Sequence, residues 1–203
     1  YIHLVTHNAK ADQLNKQSLE LLPERSFKYS ASIEADFPEH LFPLDYVLEL
    51  KVGAQVMFIK NDISTDRKYF NGKIGTIASL TSEEIKVQFA DGSAPVLVEK
   101  YLWENKRYTL NEETNLIEEK VLGSFSHYPL KLAWAITIHK SQGSEFLHAV
   151  VVLPDSGGDM LTRVLVYTGI TRARHSLGIW APEPQVWWMA CARVTQRSGG
   201  LSH

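Results

Sequence analysis

Two clusters in the last third of the chain combine side chains that could do chemistry. The first is Leu132-Ala133-Trp134-Ala135-Ile136-Thr137-Ile138-His139-Lys140-Ser141-Gln142-Gly143-Ser144-Glu145-Phe146. It opens apolar and partly β-branched, as a buried strand does, and then turns abruptly polar with Thr137, His139, Lys140, Ser141, Gln142, Gly143 and Glu145. Donors, a cation and a Gly at the carboxyl end of a buried strand are what a nucleotide-handling α/β sheet presents to its ligand. The second cluster is Val166-Tyr167-Thr168-Gly169-Ile170-Thr171-Arg172-Ala173-Arg174, in which two arginines follow a Thr-containing helical turn. A phosphate-binding loop of the form G-x-x-x-x-G-K-[ST] is missing: Gly72-Lys73 lacks both the upstream Gly and a following Ser or Thr. No Asp-Glu pair follows an apolar strand where a metal-binding motif would sit, and no Cys/His set has zinc spacing.

The elements that must position these residues can be read in order. Ile2 to Val5 reads as a short buried strand ending at Thr6-His7-Asn8. A helix follows from about Ala9 to Leu22, with Leu14, Leu19, Leu21 and Leu22 as its apolar positions and Pro23 as its stop. Asn8 suits a helix N-cap and Asn15 a solvated helix position. Residues 24–50 read as a strand and an irregular loop anchored by aromatic residues. Short strands then recur around Val56, Ile74, Ile85 and Val96, with Asn71-Gly72 and Asp91-Gly92 as turns, the pattern of a small antiparallel barrel. Residues 101–125 continue as a hairpin turning near 111–115. Its Trp and Tyr residues suit a core or a base-stacking surface. His127 to Leu132 leads back to the main sheet. Val150 to Pro154 is a further strand, 155–159 a loop, Met160 to Thr171 a helix, Leu177 to Trp180 the last strand and Glu183 to Arg197 a terminal helix.

Composition sets outer bounds. The chain's 203 residues suffice for one large domain or two small ones, and 44% hydrophobic with 22% charged residues is ordinary for a globular protein. No apolar run is long enough for a membrane span, so no membrane partner is expected. The single Cys191 excludes an internal disulfide and fits a reducing, cytoplasmic compartment. The opening Tyr1-Ile2-His3-Leu4-Val5 has the character of a strand already under way, the expected look of a piece of a longer protein. Net charge is −2, yet residues 126–203 carry seven basic against four acidic side chains, so the positive excess lies with the two clusters.

The ordered pair TIHKSQGSEF and YTGITRAR resembles motifs V and VI of superfamily 1 helicases of the RecD/Pif type. KVGAQVMFIKND with YFNGKIGTI resembles the SH3-like insertion of the same family. The resemblance implies a RecA-like parallel α/β domain over 1–50 and 126–203, interrupted by an SH3-like barrel over 51–125. It implies the C-terminal half of an ATP-dependent motor moving 5′ to 3′ on single-stranded DNA. ATP and Mg²⁺ would be held mainly by a separate N-terminal RecA-like domain. Arg172 matches the arginine finger, while Arg174 reads as a supporting or surface residue; Gly143 and Glu145 match positions facing the nucleotide, and Gln142 is placed with them as a sensor of nucleotide state. Thr6, Asn8, Thr137, His139 and Lys140 match the single-stranded DNA track, and Asn15 falls in the same motif region as Thr6 and Asn8. Tyr167 and Thr168 would fix the helix carrying Arg172. Partner nuclease or helicase subunits, as in RecBCD-like complexes, are a further implication. Two other functions stay open: a free-standing module binding nucleic acid or protein through its barrel, and an RNA motor.

Overall fold

The computed structural model describes residues 1–62, 64, 66–111, 116–154 and 161–193. The expected loop over 155–159, the start of the helix at Met160, the hairpin turn at 112–115 and the tail beyond 193 lie outside the described residues. In chain order the elements are β1 (Ile2–Val5), α1 (Asn8–Leu21), β2 (Phe27–Ser30), β3 (Ser32–Ala35), β4 (Val47–Leu50), β5 (Gln55–Phe58), β6 (Ile74–Leu80), β7 (Ile85–Gln88) and β8 (Val96–Val98). They continue with β9 (Tyr101–Asn111), β10 (Leu116–His127), β11 (Leu130–Leu132), β12 (Ala135–Thr137), β13 (Phe146–Val152), α2 (Arg163–Ile170), β14 (Ala173–Trp180) and α3 (Pro184–Ala192).

Two compact units result, one from Tyr1–Leu21 with Ala133–His203 and the other from Leu22–Leu132. In the first unit an all-parallel sheet runs in the order β12-β1-β13-β14, the α/β architecture expected from the sequence. A strand flanked on both sides is buried, and Ile2, Leu4 and Val5 of the central β1 are at most 1% exposed. Helix α1 covers one face: Ala11 packs with Val5 and Ala135, and Leu14 and Val152 close around them. Its buried stripe is Ala11, Asn15 and Leu19, spaced by four, while Leu21 is exposed. The apolar positions expected on this helix therefore need correcting: an asparagine holds the middle of the buried face. Leu4 and Val151 point to the opposite face, and there Gly169 of α2 seats the helix. A Cβ on Gly169 would lie only 3.2 Å from Val151 and 3.3 Å from Ile138. No helix among the described residues is long and apolar enough to cross a membrane.

The second unit is β-rich. An antiparallel sheet runs β11-β5-β6-β7-β8, a second β3-β10-β9, and β2 pairs with β4. The resemblance implies joints at 50/51 and 125/126, whereas the compact units part at 21/22 and 132/133. The flanking segments find partners inside this unit: β2 with β4, β3 with β10, and β11 with β5. Leu130–Leu132 leads on to β12 but is itself a strand of the antiparallel sheet, with its hydrogen bonds going to Val56–Phe58. The aromatic-anchored loop is held as its composition suggested. Phe37 and Phe42 close on Phe125 with ring centroids 5.7 Å and 5.0 Å away, and Trp103 packs against the same cluster. Trp103 is in this respect a core residue.

At the end of β10, His127 is fully buried and neither ring nitrogen has a hydrogen-bond partner among the described residues. Burial, reinforced by the Lys100 charge, lowers its pKa to about 4. The folded chain therefore holds His127 neutral while the unfolded chain protonates it first. Stability is full above pH about 6.5, and this contribution falls as pH drops from there towards about 4, by up to about 1.4 kcal/mol per pH unit. Denaturant titrations at pH 7 and pH 5 should show this loss, and His127→Phe should shrink it. An equal pH dependence in both proteins would refute the assignment.

Candidate functional site at the two edges of the parallel sheet

Because the four strands of the first unit are parallel, everything following β1 and β12 lies at one edge, and everything preceding β13 and β14 lies at the other. Register places Thr137 beside Val5, Ile2 beside Ala149 and Phe146 beside Ala173. Thr6, Asn8, His139 and Lys140 thus follow strands at the carboxyl edge, with Thr137 ending one. Arg172 and Glu145 precede strands at the amino edge. The two edges are about 20 Å apart at roughly 3.3 Å per residue. The segment 138–145 runs between them from β12 to β13, and the chain that includes α2 does so from β13 to β14. The residues assigned above to a DNA track and those assigned to a nucleotide are therefore sorted onto opposite edges, with Gln142 and Gly143 between.

The segment begins with a tight turn. Ser141 N–H donates to the Thr137 carbonyl at 3.0 Å, and the fully buried Ser141 hydroxyl donates to the Ile138 carbonyl at 2.6 Å. Lys140 N–H donates to the Thr137 hydroxyl oxygen at 3.3 Å. Thr137 is buried by this arrangement, whereas His139 and Lys140 are exposed. Across the edge Thr6 is also buried, its hydroxyl 2.7 Å from His7 Nδ1, and Asn8 opens α1 exposed to solvent. Gly143 has φ +81°, a left-handed conformation that costs a side-chain-bearing residue, and the space around its Cα is open.

At the amino edge two loops are laced together. Phe146 N–H donates to the Arg172 carbonyl at 2.8 Å, the first rung of the β13–β14 ladder. The half-buried Arg172 guanidinium donates from Nε to the Thr168 carbonyl at 3.0 Å, from Nη1 to the Ser144 carbonyl at 3.2 Å and from Nη2 to the Thr171 hydroxyl at 3.1 Å. Three of its five N–H groups are so engaged, and two have no partner among the described residues. Arg174 Nε lies 3.2 Å from the Glu145 carboxylate, an exposed ion pair of small energetic worth. Helix α2 delivers Arg172: Thr162 caps its start by accepting from Leu165 N–H, and Arg172 follows the last turn. The expected helix thus begins at Arg163 rather than Met160. Tyr167 is exposed, and the backbone carbonyls of Tyr167 and Thr168 hold the end of the helix.

Sequence reasoning missed the residue that secures the edge strand. Asn15 donates from Nδ2 to the Ala135 carbonyl at 2.9 Å and accepts from Ala135 N–H at 2.8 Å. Its amide imitates a neighbouring strand and satisfies the outer side of β12. Asn15, read above as a solvated position in the motif region of Thr6 and Asn8, is buried; its four-residue spacing from Ala11 and Leu19 was the sequence signal available.

The first unit is thus an α/β domain whose parallel sheet carries an arginine at one edge and a polar turn at the other. A profile of the family "UvrD-like helicase C-terminal domain" matches residues 132–180, which span both clusters. The RecBCD enzyme subunit RecD of Haemophilus influenzae is 36% identical over 150 residues, covering 74% of this chain and 18% of that protein. The ATP-dependent DNA helicase Pif1 of a Psychrobacter species is 32% identical over 187 residues, covering 69% of this chain and 28% of that protein. The structure of unliganded Pif1 from Bacteroides sp. superposes with a TM-score of 0.78 at 34% identity, over 92% of this chain and 42% of that one. The same Bacteroides protein has also been solved in complex with ADP-AlF4 and bound to ssDNA. The chain belongs to the superfamily 1 helicases of the RecD/Pif1 type and corresponds to part of their C-terminal region.

Removing the Asn15 clamp by Asn15→Ala leaves the Ala135 N–H and C=O unpaired at a buried edge. Denaturant unfolding should register a loss of about 1–3 kcal/mol. An unchanged midpoint would show that β12 does not depend on it.

Proposed function

We propose that the chain is the arginine-bearing half of an ATP-dependent DNA helicase motor that moves 5′ to 3′ on single-stranded DNA. The observation that carries this reading is the sorting of the site residues onto two edges of one sheet, linked by the polar segment 138–145 and by α2, which delivers Arg172. Coupling nucleotide turnover to movement along a strand needs such a link.

At the amino edge, phosphoryl transfer develops negative charge that a guanidinium stabilises, and Arg172 has N–H groups to spare for it. Gly143 offers backbone without a side chain beside Glu145, whose carboxylate suits sugar hydroxyls, and Gln142 is placed on the path between the edges. At the carboxyl edge, Lys140 and His139 are exposed donors for phosphates, Asn8 stands on the neighbouring strand's exit, and the buried hydroxyls of Thr6 and Thr137 hold the strand ends that present them. Among the described residues no group of three His, Cys, Asp or Glu could hold a metal ion. Mg²⁺ and most of the ATP are proposed to be held by an N-terminal RecA-like domain, the partner this half requires. The five-stranded antiparallel sheet of the second unit is proposed as the family's SH3-like insertion. Nuclease or helicase subunits are proposed as further partners, since the RecD relative is named as a RecBCD subunit.

DNA-stimulated ATP hydrolysis tests the reading in a motor that carries this chain together with its phosphate-binding half. Arg172→Ala should lower turnover about a thousandfold or more. The isolated chain should not hydrolyse ATP. Replacing His139 and Lys140 by Ala should weaken binding to single-stranded DNA and lower its salt dependence by about one ion. Turnover indifferent to Arg172, or hydrolysis by the isolated chain, would overturn the proposal.

A further inference from the structure

We infer that Thr171 is the positioning residue that sets the orientation of the Arg172 guanidinium, an inference that rests on the reading of Arg172 given above. The hydroxyl of Thr171 lies 2.9 Å from the Tyr167 carbonyl and 3.1 Å from the Thr168 carbonyl. It has one hydrogen, and carbonyls only accept, so that hydrogen is committed to the end of α2. Arginine has donors only, so the 3.1 Å contact between Arg172 Nη2 and Thr171 Oγ1 runs from the guanidinium to the hydroxyl oxygen. The direction of every bond in the chain is therefore determined: guanidinium to hydroxyl, hydroxyl to helix carbonyl.

The three anchors of Arg172 differ in kind. Two are backbone carbonyls, of Thr168 and Ser144, which no side-chain replacement removes. The third is the Thr171 hydroxyl, the one partner of Nη2 among the described residues. Without it the rigid guanidinium is held at two points, Nε and Nη1, and can pivot about the line between them. A group that must meet a developing charge in one orientation gains from being held there beforehand, since no reorganisation then accompanies the reaction. Thr171 also caps α2, with φ −74° and ψ −2°, so the same residue ends the helix and directs the arginine that follows it.

The test uses a motor carrying this chain and its phosphate-binding half, with Thr171→Val, Thr171→Ser, Arg172→Ala and the Thr171→Val/Arg172→Ala double variant. Thr171→Val should lower kcat for DNA-stimulated ATP hydrolysis about tenfold, with KM for ATP little changed. Thr171→Ser keeps the hydroxyl and should restore most of the rate. Affinity for ADP with aluminium fluoride should fall with the Val variant while affinity for ADP alone stays the same, a split that loss of helix capping alone would not produce. In the Arg172→Ala background the Val substitution should have no further effect. A Val variant as fast as the parent or faster, a Ser variant as slow as the Val variant, or a loss that persists without Arg172 would each overturn the inference. If Arg172→Ala is itself without effect, the functional reading fails first and this one with it.

Discussion

Two parallel strands separated by a third can be joined only by chain that travels back along the sheet, and this constraint shapes the site. Between Thr137 and Phe146 the chain must cover about 20 Å, out of about 30 Å for a fully extended stretch of that length. Little slack remains once the turn at 138–143 is made. The buried Ser141 hydroxyl and the left-handed Gly143 are what let the chain turn and still arrive at the start of β13. Polar residues near the start of this segment belong to one edge of the sheet and those near its end to the other.

The sheet and α2 hold that segment in place. Ile138 N–H donates to the Val5 carbonyl at 2.9 Å, continuing the ladder of the central strand, and the Ile138 side chain lies beneath Gly169. Gly169 is three residues before Arg172, so the close approach of α2 to the sheet and the placement of the arginine are one packing problem. At the far side, the short β12 is an edge strand that retains its pairing because Asn15 supplies the missing neighbour. Each contact fixes backbone first, and the exposed side chains follow from it.

Legibility varied with the kind of interaction. Strand β1, the cluster of turns between β5 and β8, and the helix ending at motif VI were readable from apolar spacing and turn dipeptides. The start of α2 was misplaced by three residues because Thr162, rather than a change of periodicity, begins the helix. The segments 22–50 and 126–132 were assigned to the wrong neighbours because strand character does not name a pairing partner, and β11 has the same apolar look whether it joins a parallel or an antiparallel sheet. The anchors of Arg172 at Ser144 and Thr168 are backbone carbonyls, which every residue possesses, so no residue type announces them.

By itself the sequence determined the α/β character of the first unit, the identity of the polar and arginine clusters, and the family to which they belong, because these depend on side-chain type and local spacing. Only the tertiary structure decided that β1 lies between β12 and β13, that the candidate DNA residues and Arg172 with Glu145 occupy opposite edges, and that Asn15 is buried against Ala135. Those outcomes depend on hydrogen bonds between residues more than a hundred positions apart, such as Asn15 with Ala135, for which periodicity along the chain carries no information.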